Sequence, residues 1–268
     1  MDQLILAFEC DPAEATICTP ETVLEFFEFE PVFGQVNRTV VLIFLAAFIV
    51  IGVLWAAYRK PREIPTKFGL AVDGVVRLVR DEIAVGVIGP GGERFAPYLL
   101  SLFLFLLVGN FFELTPFINF PIASRMAIPA FLALLTWVIF MTVGFARQGL
   151  GYIGHLVWPP GVPVVLKPLI GAIELVSTII VRPFSLAVRL FANMVAGHTM
   201  LSLLLASGVV FIGAIGDIGF IKGGLVGGAW FIFGMAIFVI EILVALLQAY
   251  IFTLLSAVYI QTSMHPEH

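Results

Sequence analysis

The chain has 268 residues, of which 60% are hydrophobic and only 12% are charged, and its mean hydropathy is +1.08. Because soluble domains are usually about 25% charged, this composition excludes an ordinary soluble protein and predicts an all-α integral membrane protein. The 14 lysines and arginines form no dense patch with interleaved aromatic residues, which argues against nucleic-acid binding.

Residues 1–37 form an acidic segment with eight carboxylates and no lysine or arginine, and we expect this segment to be extracellular. It contains both cysteines of the chain, Cys10 and Cys18. A disulfide between them and two free thiols are equally compatible with the sequence. Because no C-x-x-C pair occurs, neither a zinc site nor thioredoxin-like chemistry is predicted.

Residues 39–58 form the first predicted membrane-crossing helix, since about 20 apolar residues span the ~30 Å hydrocarbon core. The basic stretch RKPREIPTK follows it and is expected in the cytoplasm. Residues 68–84 are predicted to form an amphipathic helix on the membrane surface. Valines recur there at helical spacing, whereas Asp73, Arg77 and Asp81 share another face, where each acid can pair with the arginine. A short soluble helix packed on a neighbour is the alternative.

Four further crossings are predicted, over residues 96–115, 127–145, 168–213 and 226–261. The last two tracts would be roughly 69 Å and 54 Å long as helices, which exceeds the hydrocarbon thickness. We therefore expect two long, strongly tilted helices that form a hairpin, within a single membrane domain over residues 38–268. The string GLGYIG resembles a dinucleotide fingerprint, but it follows a membrane span rather than a strand, so no cofactor is predicted.

The distribution of basic residues agrees with five crossings, an external N-terminus and a cytoplasmic C-terminus. Two arginines fall within a membrane tract (Arg182 and Arg189), and three basic residues fall outside (Arg38, Arg125 and Lys222). The remaining nine fall on the cytoplasmic side: Arg59, Lys60, Arg62, Lys67, Arg77, Arg80, Arg94, Arg147 and Lys167.

A polar stripe runs along the fourth crossing, since Arg182, Ser185, Arg189 and Asn193 are separated by three, four and four residues. An arginine at the centre of a membrane helix costs roughly 2.5–3.5 kcal/mol, and such residues usually line a polar path. Arg182 can instead extend to the lipid headgroups, and Arg189 can bond backbone carbonyls.

The last crossing carries Glu241 and Gln248, which are seven residues apart and share a face. An antiparallel hairpin would place His198 level with Glu241, and Arg189 level with Gln248. Glu113, near the outer end of the second crossing, could extend this series. Titratable groups that end at a fixed positive charge predict a proton route with a barrier, although a structural pair of His198 and Glu241 remains the alternative.

Two stretches, SLAVRLFANMVAGH and EILVALLQAYIFTLLSAVYI, closely resemble the signature regions of the a subunit of rotary F-type ATP synthases. GNFFELTP and YIQTSMHPEH are similar to that family too, and the resemblance extends from about residue 39, with features of actinobacterial members. It implies a stator subunit of a bacterial plasma membrane that makes no covalent bond itself and needs no cofactor. The implied partners are a ring of c subunits, a b-type peripheral stalk and the soluble ATPase sector.

The resemblance also implies roles for single residues. Arg189 would face the rotating ring, whose subunits each carry a membrane carboxylate, and would block a direct leak between two half-channels. The other positions that match are Asn193 and Gln248 beside the arginine, Glu113, His198 and Glu241 in the outer half-channel, and Ser185 and Glu174 as candidates for the inner one. Two other functions stay open on residues alone, a proton-coupled secondary transporter and a structural membrane scaffold.

Overall fold

The computed structural model describes residues 37–59, 66–115, 122–149, 151–158, 163–213, 219 and 221–264. The acidic N-terminal segment, with Cys10 and Cys18, lies outside the described residues. Within them the regular structure is helical, and five helices are long and apolar enough to cross a membrane. The prediction of an all-α protein with five crossings is therefore confirmed.

We number the helices in chain order, and each predicted segment corresponds to one of them within a few residues. The first four are α1 (Arg38–Tyr58), α2 (Lys67–Arg77, continued by a π-helix Leu78–Val85 and by Gly86–Ile88), α3 (Ala96–Leu114, after a 3-10 turn Gly92–Phe95) and α4 (Ala127–Gln148). The others are the short α5 (Gly151–Val157), α6 (Lys167–Val176, a π-helix Ser177–Val181, then Arg182–Gly213) and α7 (Gly227–Met264, after a π-helix Ile221–Val226).

Helices α6 and α7 pack as an antiparallel hairpin, and small residues bring their backbones close together. An ideal Cβ atom built on Gly208 would lie 3.0 Å from the backbone nitrogen of Phe231, and one on Gly227 would lie 2.8 Å from the backbone nitrogen of Ile212. Only a residue without a Cβ atom allows this approach. Gly208 and Gly227 therefore allow the two helices of the hairpin to pack closely near the turn.

Helices α3 and α4 pack against the hairpin of α6 and α7 and form the core of the bundle with it. Its core is fully buried and apolar, with Leu99 from α3, Phe140 from α4, Leu190 from α6 and Phe252 from α7. Helix α1 packs against α3 on one side through Ala46 and leaves its other face exposed. Because lipid is as apolar as these side chains, close van der Waals packing rather than exclusion of water holds the hairpin against α3.

Hydroxyl groups also join three helices inside the bundle. The hydroxyls of Tyr98 on α3 and Thr136 on α4 are 2.7 Å apart, and that of Thr136 is 3.5 Å from the hydroxyl of Ser256 on α7. Thr136 and Ser256 also donate to carbonyls of their own helices. Because buried hydroxyls need partners, this cluster favours one axial position of α7 relative to α3 and α4.

Helix α2 combines both of the predicted alternatives, since one face packs on the bundle and the other carries exposed charges. Val79 and Ile83 are fully buried against α3 and α7. The predicted pair of Asp73 and Arg77 forms, with 2.7 Å between carboxylate and guanidinium. Among the described residues, Asp81 forms no ion pair with Arg77, so one of the two predicted ion pairs is present.

Candidate functional site

Arg189 lies on the face of α6 that points away from the bundle core, and its side chain is exposed. Ala192 and Ala196, which follow one and two turns later, are exposed as well, so a neighbouring helix can approach closely along this strip. Arg189 forms no ion pair or hydrogen bond within the part of the chain that the structure describes. A permanent positive charge is thus presented on a surface of small and apolar residues.

A buried cluster of titratable side chains lies further toward the turn of the hairpin. The Nδ1 atom of His198 on α6 is 4.0 Å from Oε1 of Glu113 on α3, and both side chains are only 4% exposed. The carboxylate of Glu241 on α7 packs directly against Gly197, where an added Cβ atom would lie 2.5 Å from Oε2. Two carboxylates and one imidazole, contributed by three different helices, therefore converge, and of these Glu241 is half-buried while Glu113 and His198 are buried.

This cluster has the chemistry needed for proton transfer. Carboxyl and imidazole groups can both accept and release a proton, and such groups inside a membrane are usually part of an ion or proton path. A separation of 4.0 Å exceeds a hydrogen bond, so transfer between Glu113 and His198 needs a small side-chain movement or an intervening water molecule. Within the described ranges, no three histidine, cysteine or acidic side chains are close enough to hold a metal ion.

The register of the hairpin agrees with the sequence prediction for His198 and Glu241. The contacts of Gly197 with Glu241 and of Gly208 with Phe231 advance eleven residues along α6 and return ten along α7. Continued in the other direction, this register places Arg189 within a turn of Gln248. The antiparallel spacing in the sequence therefore predicted that His198 lies level with Glu241, and the same register extends to Arg189 and Gln248.

The amide side chains near Arg189 are placed differently from the arginine itself. Gln248 is only 6% exposed and points into the bundle, and its Nε2 atom has no hydrogen-bond partner among the described residues. Asn193 is half-buried. The structure thus brings Gln248 to the level of Arg189 but does not join the two by a hydrogen bond.

Ser185 and Glu174 lie away from the buried cluster, toward the end of α6 where Lys167 begins the helix. Both side chains are half-buried. The π-helix Ser177–Val181 separates them, and Glu174 precedes Arg189 by fifteen residues, about 22 Å along a helix at ~1.5 Å per residue. Neither residue contacts the cluster around His198 in the described part of the chain.

Arg182 is held by α7. Its Nη1 atom donates to the Thr262 hydroxyl at 3.2 Å, and its guanidinium lies over the ring of Tyr259 at 5.4 Å. This contact differs from the interpretation of Arg182 as a residue that only extends to headgroups. Sequence spacing could not reveal it because the partners come from the far end of α7.

Two residues at the site were not singled out from the sequence. Gly197 provides the space that the Glu241 carboxylate occupies. Asn110 donates from Nδ2 to the carbonyl of Ala245 at 3.0 Å, a buried bond that ties α3 to α7. A signal for Asn110 existed, since it lies three residues before Glu113 and therefore on the same face of α3.

Similarity to known proteins identifies the family of the chain. The family model described as ATP synthase A chain matches residues 40–261. A protein named ATP synthase subunit a from Frankia alni is 39% identical over 87% of this chain and 79% of the relative. One of the same name from Streptomyces lividans is 35% identical over 98% of this chain and 95% of the relative. The chain therefore belongs to the ATP synthase A chain family.

Proposed function

We propose that Glu113, His198 and Glu241 form the outer half of a proton path and that Arg189 faces the rotor and acts as the barrier. The chain is a non-catalytic, proton-translocating subunit of the membrane sector of an F-type ATP synthase. The observation that carries the proposal is the contrast in burial. Glu113 and His198 are buried with the half-buried Glu241 close by, whereas the permanent charge of Arg189 is exposed on the face of α6 that points away from the bundle core.

In this mechanism, a proton enters from outside, passes through the buried cluster and neutralises a carboxylate on a ring subunit. The neutral carboxyl group can then move into lipid, where the charged form would be costly. When a ring carboxylate returns beside Arg189, the positive charge favours its ionised form and promotes proton release. Each proton that crosses the membrane supplies about 2.3 kcal/mol per 100 mV, which drives rotation.

The inner half of the path is proposed to pass Ser185 and Glu174. These half-buried residues lie between the level of Arg189 and the end of α6 near Lys167. Gln248 and Asn193 provide amide groups at the level of the arginine, where they can orient water or the ring carboxylate. The two half-paths are thus displaced along α6, with Arg189 between them.

The protein is a multi-pass membrane protein that assembles with other subunits of the ATP synthase. We propose a bacterial plasma membrane, residues 1–37 outside, and the C-terminus in the cytoplasm, because basic residues concentrate on that side. The proposed direct partners are the c-ring and a b-type peripheral stalk. Selection of protons over sodium would depend on the neighbours of the ring carboxylate, which lie on another chain.

The decisive experiment is ATP-driven proton pumping in inverted membrane vesicles that carry Arg189→Ala, with complex assembly and ATP hydrolysis measured in parallel. We expect an assembled complex without pumping, because the barrier charge is absent. Arg182→Gln is the matched control, since it removes an arginine of the same helix whose partners are within the subunit. Normal pumping by the Arg189→Ala complex would refute the proposed role of Arg189.

A further inference from the structure

Two arginines from different helices converge on one loop at the end of the bundle opposite the hairpin turn. An ideal Cβ atom on Gly91 would lie 3.3 Å from Nη2 of Arg94 and 4.0 Å from Nη2 of Arg147. The two nitrogens are therefore separated by no more than the sum of these distances, 7.3 Å. Arg94 precedes the start of α3, whereas Arg147 belongs to the last turn of α4.

The loop holds Arg94 in place for this arrangement. The Nε atom of Arg94 donates to the carbonyl of Gly91 at 3.0 Å, and its guanidinium lies over the ring of Phe95 at 5.2 Å. Gly91 has φ of +87°, a left-handed conformation that glycine adopts without strain. The Nε atom of Arg94 is thus used by the loop, while Nη2 of Arg94 and Nη2 of Arg147 both lie near the position that a Gly91 Cβ atom would occupy.

No carboxylate of the described residues neutralises this pair. Glu93, the acid next to Arg94, is paired with Arg80 at 3.3 Å, and Arg147 has no ion pair within the described ranges. The sequence from residue 114 to 173 contains no aspartate or glutamate. The N-terminus of α3 adds a partial positive charge, so the loop is a local concentration of positive charge.

The site lies at the boundary of the membrane, because one crossing helix begins there and another ends there. Two planar guanidinium groups at this separation can donate to the oxygens of one phosphate. Phe145 and Pro97, one turn or less from the arginines along their helices, are exposed and offer an apolar surface for acyl chains. We propose that Arg94 and Arg147 bind the phosphate of an anionic phospholipid headgroup.

This proposal does not depend on the proton path, so its test is separate. The ATP synthase complex is purified in detergent, and binding of short-chain phosphatidylglycerol is measured by native mass spectrometry. Short-chain phosphatidylcholine and inorganic phosphate serve as the other two probes. Arg94→Gln and Arg147→Gln should each weaken phosphatidylglycerol binding about fivefold, since one basic residue near an anionic lipid contributes about that much.

Arg59→Gln is the matched control, because Arg59 follows the first crossing and its guanidinium lies over Trp55 rather than near the loop. If a glutamine variant fails to assemble, Arg147→Lys keeps the charge but lacks the planar guanidinium, so it should bind phosphatidylglycerol more weakly than wild type. Unchanged phosphatidylglycerol binding in the variants, or an equal loss in Arg59→Gln, would overturn the proposal. Inorganic phosphate binding lost in the variants, with lipid binding retained, would assign the site to a free anion instead.

Discussion

Gly197→Ala tests whether the position of the Glu241 carboxylate matters for proton transfer. The added methyl group would lie 2.5 Å from Oε2 and 2.7 Å from both Oε1 and Cδ of Glu241. Ordinary van der Waals contacts begin near 3.4 Å, so Oε2 must move by about 0.9 Å, the difference between 3.4 Å and 2.5 Å. The clash involves the end of a flexible side chain, so the carboxylate moves while the helices stay in place.

The expected effect on stability is small. Replacing glycine by alanine inside a helix stabilises that helix by about 1 kcal/mol. An off-rotamer glutamate costs about 0.5–1.5 kcal/mol, which offsets this gain. The effect on transport should be large, because a misplacement of about 1 Å in a reacting group can lower a rate on the order of 100-fold.

The assay is ATP-driven pumping per assembled complex in inverted vesicles, with the amount of complex determined separately. Gly208→Ala is the matched control on the same helix. Its methyl group would meet the backbone of Phe231, with the nitrogen at 3.0 Å and Cα at 3.2 Å, far from the carboxylate. Since a backbone cannot move aside independently, we expect Gly208→Ala to reduce the amount of complex but not the pumping of each complex.

Gly197→Ala should show the opposite pattern, with normal assembly and strongly reduced pumping. Wild-type pumping by Gly197→Ala complexes would show that a displaced Glu241 carboxylate still transfers protons. A loss of assembly as severe as that of Gly208→Ala would show that Gly197 serves helix packing alone. Either result would refute the reasoning.

Three further predictions concern the same helices. Exchange of the two partners, His198→Glu with Glu241→His, should retain more pumping than either single change, and a double variant no better than the worse single one would argue against a functional pair. Arg182→Gln should reduce pumping less than Arg189→Ala, and an equal loss per assembled complex would contradict the assigned roles. Asn110→Ala should lower the free energy of unfolding of the complex by about 0.5–1.5 kcal/mol, because the hydrogen bond between α3 and α7 is lost while the Ala245 carbonyl keeps the N–H donor of its own helix; an unchanged melting temperature would contradict this.

The sequence was sufficient to predict the crossings and the level of the buried cluster. Hydropathy identifies long apolar helices because every backbone polar group in lipid must be bonded within its own helix. The antiparallel register then follows from chain length on either side of the turn, which is why Glu241 was placed level with His198. These features depend on local sequence and simple geometry alone.

Other features of the site depend on contacts that spacing cannot reveal. Arg182 contacts Thr262, which lies eighty residues later in the chain, and the nearby Tyr259. The π-helix Ser177–Val181 interrupts the regular period of α6, so the face presented by Glu174 does not follow from a spacing of 3.6 residues. The contact of Gly197 required the positions of two helices, since a glycine shows no preference of its own for a carboxylate.

The exposure of Arg189 has a consequence for the biogenesis of the subunit. Before a partner covers the outward face, this guanidinium meets lipid, and its insertion cost of roughly 2.5–3.5 kcal/mol corresponds to a factor of about 60 to 300 in population. This cost opposes the favourable insertion of the apolar residues around it. A partner that places a carboxylate beside Arg189 removes part of the cost. A subunit without a rotor should therefore be less stably inserted than one in the complex, so the charge used in transport also makes stable insertion depend on assembly.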